Sequence, residues 1–211
     1  MKLYGYWRSS AAYRVRIGLN LKGLAYENIP VHLVRNGGEQ YKDDYLALNP
    51  QARVPTLADG AFTLAQSLAI LEYLEETHPT PALLPGTPAE RARARQIALA
   101  VACDIHPLNN LRVLKYLETK FGVTQEARDD WYRYWVRDGL TAVEKMVSPH
   151  GPYCLGEQVT LADVCVIPQI FNAHRFKTPL DDCPRLLAIE VACLKLPAFD
   201  RARPENQPDA V

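Results

Sequence analysis

The sequence predicts a chain in two parts: an α/β layer with a small mixed sheet over residues 1–80, then an all-helical part over residues 89–211. Three observations carry this. Short β-favouring runs alternate with helical runs through the first part, the pattern of an α/β layer. Residues 81–88 fall in a stretch dense in proline and small residues, the composition of a linker. Beyond it no run alternates as a strand would, while apolar residues recur at three- and four-residue steps.

Taken in order, KLYGY (2–6) alternates and reads as a short strand. AAYRVRIGLNLKG (11–23) reads as a helix, with Ala12, Val15 and Leu19 on one face and Gly23 at the C-cap. YENIPV (26–31) is a second strand, Gly37-Gly38 a loop, and EQYKDDYLAL (39–48) weakly helical. TLAD (56–59) and AFTLA (61–65) flank Asp59-Gly60 as a hairpin, with Pro55 at the entry, a place a strand admits proline. QSLAILEYLEETHP (66–79) is the clearest helix. Leu64, Leu68, Leu71 and Leu74 face inward, Glu72, Glu75 and Glu76 face solvent, and Pro79 and Pro81 stop it.

In the second part, residues 90–122 predict one helix along Ile97, Val101, Ile105, Leu108, Leu111 and Leu114, kinked at Pro107. Residues 124–147 predict another through Trp131, Trp135, Gly139, Val143 and Val147. Residues 160–176 bury Leu161, Val164, Cys165, Pro168 and Phe171, residues 183–196 close the helical part, and the tail from Arg201 is expected to be irregular.

Composition narrows the function classes. With 48% hydrophobic residues the chain can pack a core. Lys+Arg 24 balances Asp+Glu 24, so there is no basic excess for a nucleic-acid partner. No apolar run reaches membrane-spanning length, and the strand-like start lacks the features of an export signal. Five cysteines without a C-x-x-C pair fit reduced thiols in a cytoplasm rather than a disulfide or zinc framework.

Ser9 and Ser10 lie at a strand-to-helix turn, where unpaired amides and the helix dipole favour an anion. Taken alone, plain capping is the more common role of such a serine, since caps are frequent and sites are rare. Thr160-Leu-Ala-Asp163 matches a capping box, which makes Asp163 structural. Asp104 and His106 give poor metal spacing with no third ligand, so no metal is expected. Arg8, Arg14, Arg16, Arg112 and Arg175 read as solvated charges or as anion contacts. There is no G-x-S-x-G, Walker loop or H-E-x-x-H.

The order Ser9-Ser10, Val54-Pro55, Gln66-Ser67, proline-rich linker and helical domain resembles a glutathione transferase over the length of the chain. SSAAYRVRI, GGEQY, LNPQARVPTL, QSLAILEYLEE, CDIHPLNN and the closing NQPD are similar to the zeta class, the maleylacetoacetate isomerases. Ala11 stands where that class commonly has a cysteine, so a role for that thiol is absent here. The resemblance implies a thioredoxin-like glutathione-binding domain (1–80), an 81–88 linker and an all-helical substrate domain (89–211). It also implies a homodimer in the cytoplasm, binding neither nucleic acid nor membrane.

The implied reaction is the glutathione-dependent cis–trans isomerisation of maleylacetoacetate to fumarylacetoacetate, in phenylalanine and tyrosine breakdown. Maleylpyruvate isomerases and transferases of small halo-acids are similar enough to stand as alternatives. A non-catalytic module is the weakest reading, because a scaffold needs no polar Ser9, Gln66 and Ser67. By the same resemblance Ser9, with Ser10 as runner-up, would donate to the glutathione sulfur. Val54 and cis Pro55 would pair with the tripeptide backbone. Gln66 and Ser67 would hold its γ-glutamyl carboxylate, Gln40 would reach its glycine end, and Asp104 of a partner subunit would meet its amine. Arg8 and Arg175, then Arg112 with His106 and Asn110, would grip the dicarboxylate substrate.

Overall fold

The computed structural model describes residues 1–210 and leaves Val211, the last residue of the predicted tail, outside them. It forms two units: Met1–Leu83 together with the segment from Leu194 onward, and Leu84–Cys193.

The first unit runs β1 (Lys2–Gly5), α1 (Ser10–Leu21), β2 (Glu27–Pro30), two 3-10 turns (Arg35–Gly37 and Glu39–Tyr41), α2 (Asp43–Leu48), β3 (Thr56–Asp59), β4 (Phe62–Ala65) and α3 (Ser67–Thr77). The sheet order is β2-β1-β3-β4. β1 is parallel to β2 and antiparallel to β3, and β3 turns back into β4 as the Asp-Gly signal predicts. Leu3 and Leu57 face each other across the β1–β3 ladder. They pack with Val15 and Leu19 of α1 and Ile70 and Leu74 of α3 in one buried cluster. α1 ends as the sequence predicts. Gly23 takes a φ of +65°, and the amides of Gly23 and Leu24 return to the carbonyls of Asn20 and Leu19.

Glu75 departs from its solvated assignment. Its carboxylate accepts from the buried Lys22 ammonium at 2.8 Å and from the Leu83 amide at 2.8 Å. The same ammonium donates to the carbonyls of His78 and Pro81 at 2.6 and 3.0 Å, so all three of its protons are used. This lysine fastens the end of α3 and the chain that follows it.

The tail also departs from expectation. It forms α9 (Pro197–Ala202) and a 3-10 turn (Pro204–Asn206), and packs on α1 in the first unit rather than closing the helical part. Phe199 and Ala202 are buried there, and polar bonds hold the segment as well. Asn20 of α1 donates to the Ala198 carbonyl at 3.0 Å, and Arg16 to the Ala202 carbonyl at 3.0 Å.

The second unit contains α4 (Pro88–Leu99), a π-helical turn (Ala100–Ile105), α5 (Leu111–Phe121), α6 (Gln125–Glu144), α7 (Leu161–Arg175) and α8 (Pro184–Leu194). The predicted kinked helix over 90–122 is thus two helices. The ladder widens so that the His106 amide reaches the Val101 carbonyl, Pro107 has no N–H to continue it, and Asn110 caps a new start by accepting from the Arg112 amide at 3.1 Å. α7 is buried on every face from Leu161 to Ile170. Asp163 completes its predicted capping box with Thr160 and also accepts from the Cys154 amide at 2.7 Å. On α6 the buried row is Tyr132, Val136, Leu140 and Val143; Val143 and Val147 of the predicted row are buried as expected, while its Trp131, Trp135 and Gly139 are only half-buried. Both rows have helical spacing. The choice is made by Tyr132 stacking on Phe176, with centroids 3.5 Å apart.

Candidate active site

The site in the first unit is assembled from segments between strands and helices. Tyr6 to Ser9 form a turn closed by the Ser9 amide donating to the Tyr6 carbonyl at 2.9 Å. Ser9 is the N-cap of α1, and its hydroxyl oxygen accepts from the Ala12 amide at 3.2 Å. Capping uses only a lone pair on that oxygen and leaves the hydroxyl proton able to donate. The two sequence readings of Ser9 are therefore compatible. Ser10 is 4% exposed, so of the two serines Ser9 is the more accessible.

A second helix start lies at Gln66-Ser67. Gln66 is the N-cap of α3, holds a φ of +72° and makes no side-chain cap. A non-glycine residue there is strained, and such strain gathers at functional sites. The Gln66 amide nitrogen donates to Gln51 Oε1 at 2.6 Å. Ser67 is buried and accepts from Arg14 Nη1 at 3.3 Å. Between the two helix starts runs the loop to β3. Asn49, buried, donates to the Arg53 carbonyl at 2.8 Å and accepts from the Gln51 amide at 3.0 Å. The Tyr45 hydroxyl also bonds the Arg53 carbonyl and Thr56 Oγ1. The Val54–Pro55 peptide that follows is cis.

Gln40 is 6% exposed and donates to the Leu33 carbonyl at 3.3 Å, while its Oε1 is buried without a partner. It folds back under Gly38, whose φ is +111° and where a Cβ would lie 2.6 Å from the Gln40 amide nitrogen. Next to it, Glu39 accepts from the His32 amide at 2.8 Å, and that bond holds its carboxyl below the usual carboxylate range. Arg8 donates to the Tyr6 hydroxyl at 2.9 and 3.2 Å and lies over the Trp7 ring at 4.8 Å. No carboxylate pairs with it among the described residues.

Arg14 and Arg16 correct the solvated-charge reading: they are 2% and 1% exposed. Burial pulls the Arg16 guanidinium down to about 10, which leaves it charged at neutral pH. The sequence signal for this was available as R-x-R inside an otherwise apolar helix. Gln51, Tyr6 and Asp209 carried no such signal.

In the second unit the structure joins three of the expected residues. Asn110 lies 3.3 Å from His106 Nε2 and caps the helix that begins beside Arg112. Arg175, exposed at the C-terminal end of α7, stacks over the Phe176 ring at 4.8 Å, and Phe176 stacks on Tyr132, whose hydroxyl pKa burial pushes up. Asp104 is exposed on the π-helical turn.

Known proteins agree with this architecture. A family model described as "Glutathione S-transferase, N-terminal domain" matches residues 3–82. A probable maleylacetoacetate isomerase of Vibrio cholerae is 52% identical over 209 residues, 99% of this chain and 97% of that one. A solved maleylpyruvate isomerase, described as a bacterial glutathione S-transferase in the zeta class, superposes with a TM-score of 0.96 at 47% identity, covering 100% of both chains. A maleylacetoacetate isomerase of Methylobacterium extorquens AM1, solved with malonate and GSH, gives 0.95 at 43% identity, again over 100% of both. With the sheet order, the two helix starts and this likeness running its whole length, the chain belongs to the glutathione S-transferase family and to its zeta class.

Proposed function

We propose that this chain is a glutathione-dependent cis–trans isomerase that converts maleylacetoacetate to fumarylacetoacetate, as in phenylalanine and tyrosine breakdown. The observation that carries it is Ser9: a capping serine at a helix start, its oxygen engaged by Ala12 and its proton free for a sulfur anion. The residues fit a γ-glutamyl tripeptide. They offer two helix N-termini for anionic groups, a buried Gln40 oxygen still lacking a donor, and the Val54 backbone beside β3. When bound, glutathione supplies a thiolate that adds reversibly to the activated double bond, lets it rotate as a single bond, and is released unconsumed.

Each residue then has a task. Ser9, helped by the first-turn amides of α1 and by the helix dipole, stabilises the thiolate; a free thiol has a pKa near 8.5, so a fall of about two units makes it mostly anionic at neutral pH. Ser10 is the second choice, disfavoured by its burial. Gln66 and Ser67 take the γ-glutamyl carboxylate, Gln40 the glycine end, and Val54 with Pro55 the backbone. Arg8, already oriented by Tyr6 and Trp7, and Arg175, placed over the Phe176 ring, bind substrate carboxylates, with Arg112, His106 and Asn110 as a further polar group. The assembly is a homodimer in which Asp104 of one subunit meets the glutathione amine of the other. Five free thiols, four of them buried, suit the cytoplasm. Among the described residues no helix is long and apolar enough to cross a membrane.

The test is conversion of maleylacetoacetate with free thiol held constant; steady loss of thiol would mean conjugation instead. Ser9→Ala should lower kcat by about ten- to a thousandfold, the range for losing one donor to a developing anion. An unchanged rate would move the task elsewhere. Maleylpyruvate is the second reading, favoured by the likeness to the maleylpyruvate isomerase. The ratio of kcat/KM for the two acids decides between them.

A further inference from the structure

Both backbone polar groups of Trp7, its N–H and its C=O on the two peptide planes that flank its Cα, are gripped by side chains outside the turn. The Trp7 amide donates to Asp209 Oδ2 at 3.1 Å, across 202 positions of chain. The Trp7 carbonyl accepts from Arg16 Nη2 at 3.0 Å, and the same guanidinium donates through Nε to the Ala202 carbonyl at 3.0 Å. The tail that brings Asp209 there is itself pinned. Gln207 donates to the carbonyls of Arg201 and Arg203 at 2.9 and 2.8 Å, and the Ala210 amide returns to the Gln207 carbonyl at 3.0 Å.

Trp7 is the first of the two central residues of the turn that delivers Ser9, and the turn's own closure is the one bond from Ser9 to Tyr6. Deprived of these partners, the two peptide planes that flank Trp7 would rotate to find others, because an unmade bond to a shielded amide costs about 1–3 kcal/mol. Arg8 and Ser9, joined to them through a few dihedrals, would swing with them. Displacements of this size matter where a hydroxyl must point at an anion.

We infer that the C-terminal segment is a brace for the thiolate corner, with Asp209 and Arg16 as positioning residues that set the direction of the Ser9 hydroxyl through the backbone on either side of Trp7. The inference rests on the function proposed above and concerns residues that touch neither glutathione nor substrate.

Charge and geometry make opposite predictions for Asp209, and this separates them. Removing an anion near a thiol lowers the thiol's pKa by electrostatics alone. Loosening the corner raises it. The pKa of bound glutathione is read from its thiolate absorbance as pH is varied, without turnover. Asp209→Ala should raise that pKa by about one pH unit, a tenfold fall in thiolate at a given pH, and should lower kcat with little change in KM for the acid substrate. Asp209→Asn keeps a carbonyl acceptor for the Trp7 amide and loses the charge, so it should match the parent protein or lie slightly below it. An Asp209→Ala value at or below the parent's, or an Asp209→Asn value as high as that of Asp209→Ala, overturns the brace. A parent protein that binds glutathione without lowering its thiol pKa removes the functional reading itself.

Discussion

Arg16 and Lys22 are charged residues that folding takes out of water on the helix that also carries Ser9. Each is tolerated because its donors are used: Arg16 on the Trp7 and Ala202 carbonyls, Lys22 on Glu75 and two carbonyls. Such groups define geometry, since a buried charge accepts few arrangements. The Lys22 side chain is 0% exposed, and removing one partner of a buried pair costs about 3–5 kcal/mol. Lys22→Ala should therefore lower stability by about that amount in chemical denaturation. A cost below about 1 kcal/mol would show that water takes over its three bonds. Ser9 is legible in the sequence because a small polar residue before an apolar helix is a local signal. The burial of Arg14 and Arg16 depends on what packs over them.

At the scale of elements, the segment between β2 and α2 positions Gln40 on a single 3-10 turn, Glu39–Tyr41, rather than on a strand or a longer helix. It is folded around His32, whose amide donates to Glu39 and whose Nδ1 accepts from the amides of Val34 and Arg35 at 3.3 and 2.9 Å. Glu39 has a lowered pKa, chiefly through that backbone bond. Its contribution is therefore fully present above the ordinary carboxylate value and lost as pH falls through the lowered one. Glu39→Gln should bind glutathione several-fold more weakly than the parent protein at about pH 7, and the two should converge only as pH falls below the ordinary carboxylate range, read by calorimetry. Parallel curves would mean that Glu39 does not hold the Gln40 segment. The sequence shows this region as weakly helical with a Gly-Gly loop, which is correct in kind. The fold-back of Gln40 under Gly38 is a contact between side chain and backbone that no periodicity announces.

For the whole molecule, the two ends of the chain meet in the first unit. The turn after β1 is tied to a segment about two hundred residues later by Asp209, and α1 is tied to the same segment by Arg16 and Asn20. A chain ending before Pro197 would leave the Arg16 guanidinium and the Trp7 amide short of partners and expose the α1 face that α9 covers. It should lose about 3 kcal/mol or more and show a lowered Tm, with loss of glutathione binding. Retention of both would mean that the tail is an ornament of the first unit.

Sequence by itself determined the class of each half, the strand and helix order of the first part, the caps at Ser9, Gly23, Thr160 and Asp163, and the polar residues at the two helix starts. These are local matters of period, dihedral preference and one-turn hydrogen bonds, and local signals survive in a one-dimensional string. Tertiary structure alone decided that the first turns of α6 face Tyr132 and Val136 inward rather than Trp131 and Trp135, and that Glu75, Arg14 and Arg16 turn away from water. It also decided where the tail belongs. Each of these depends on a partner far along the chain, and the energy of such a pair is a property of their meeting rather than of either residue.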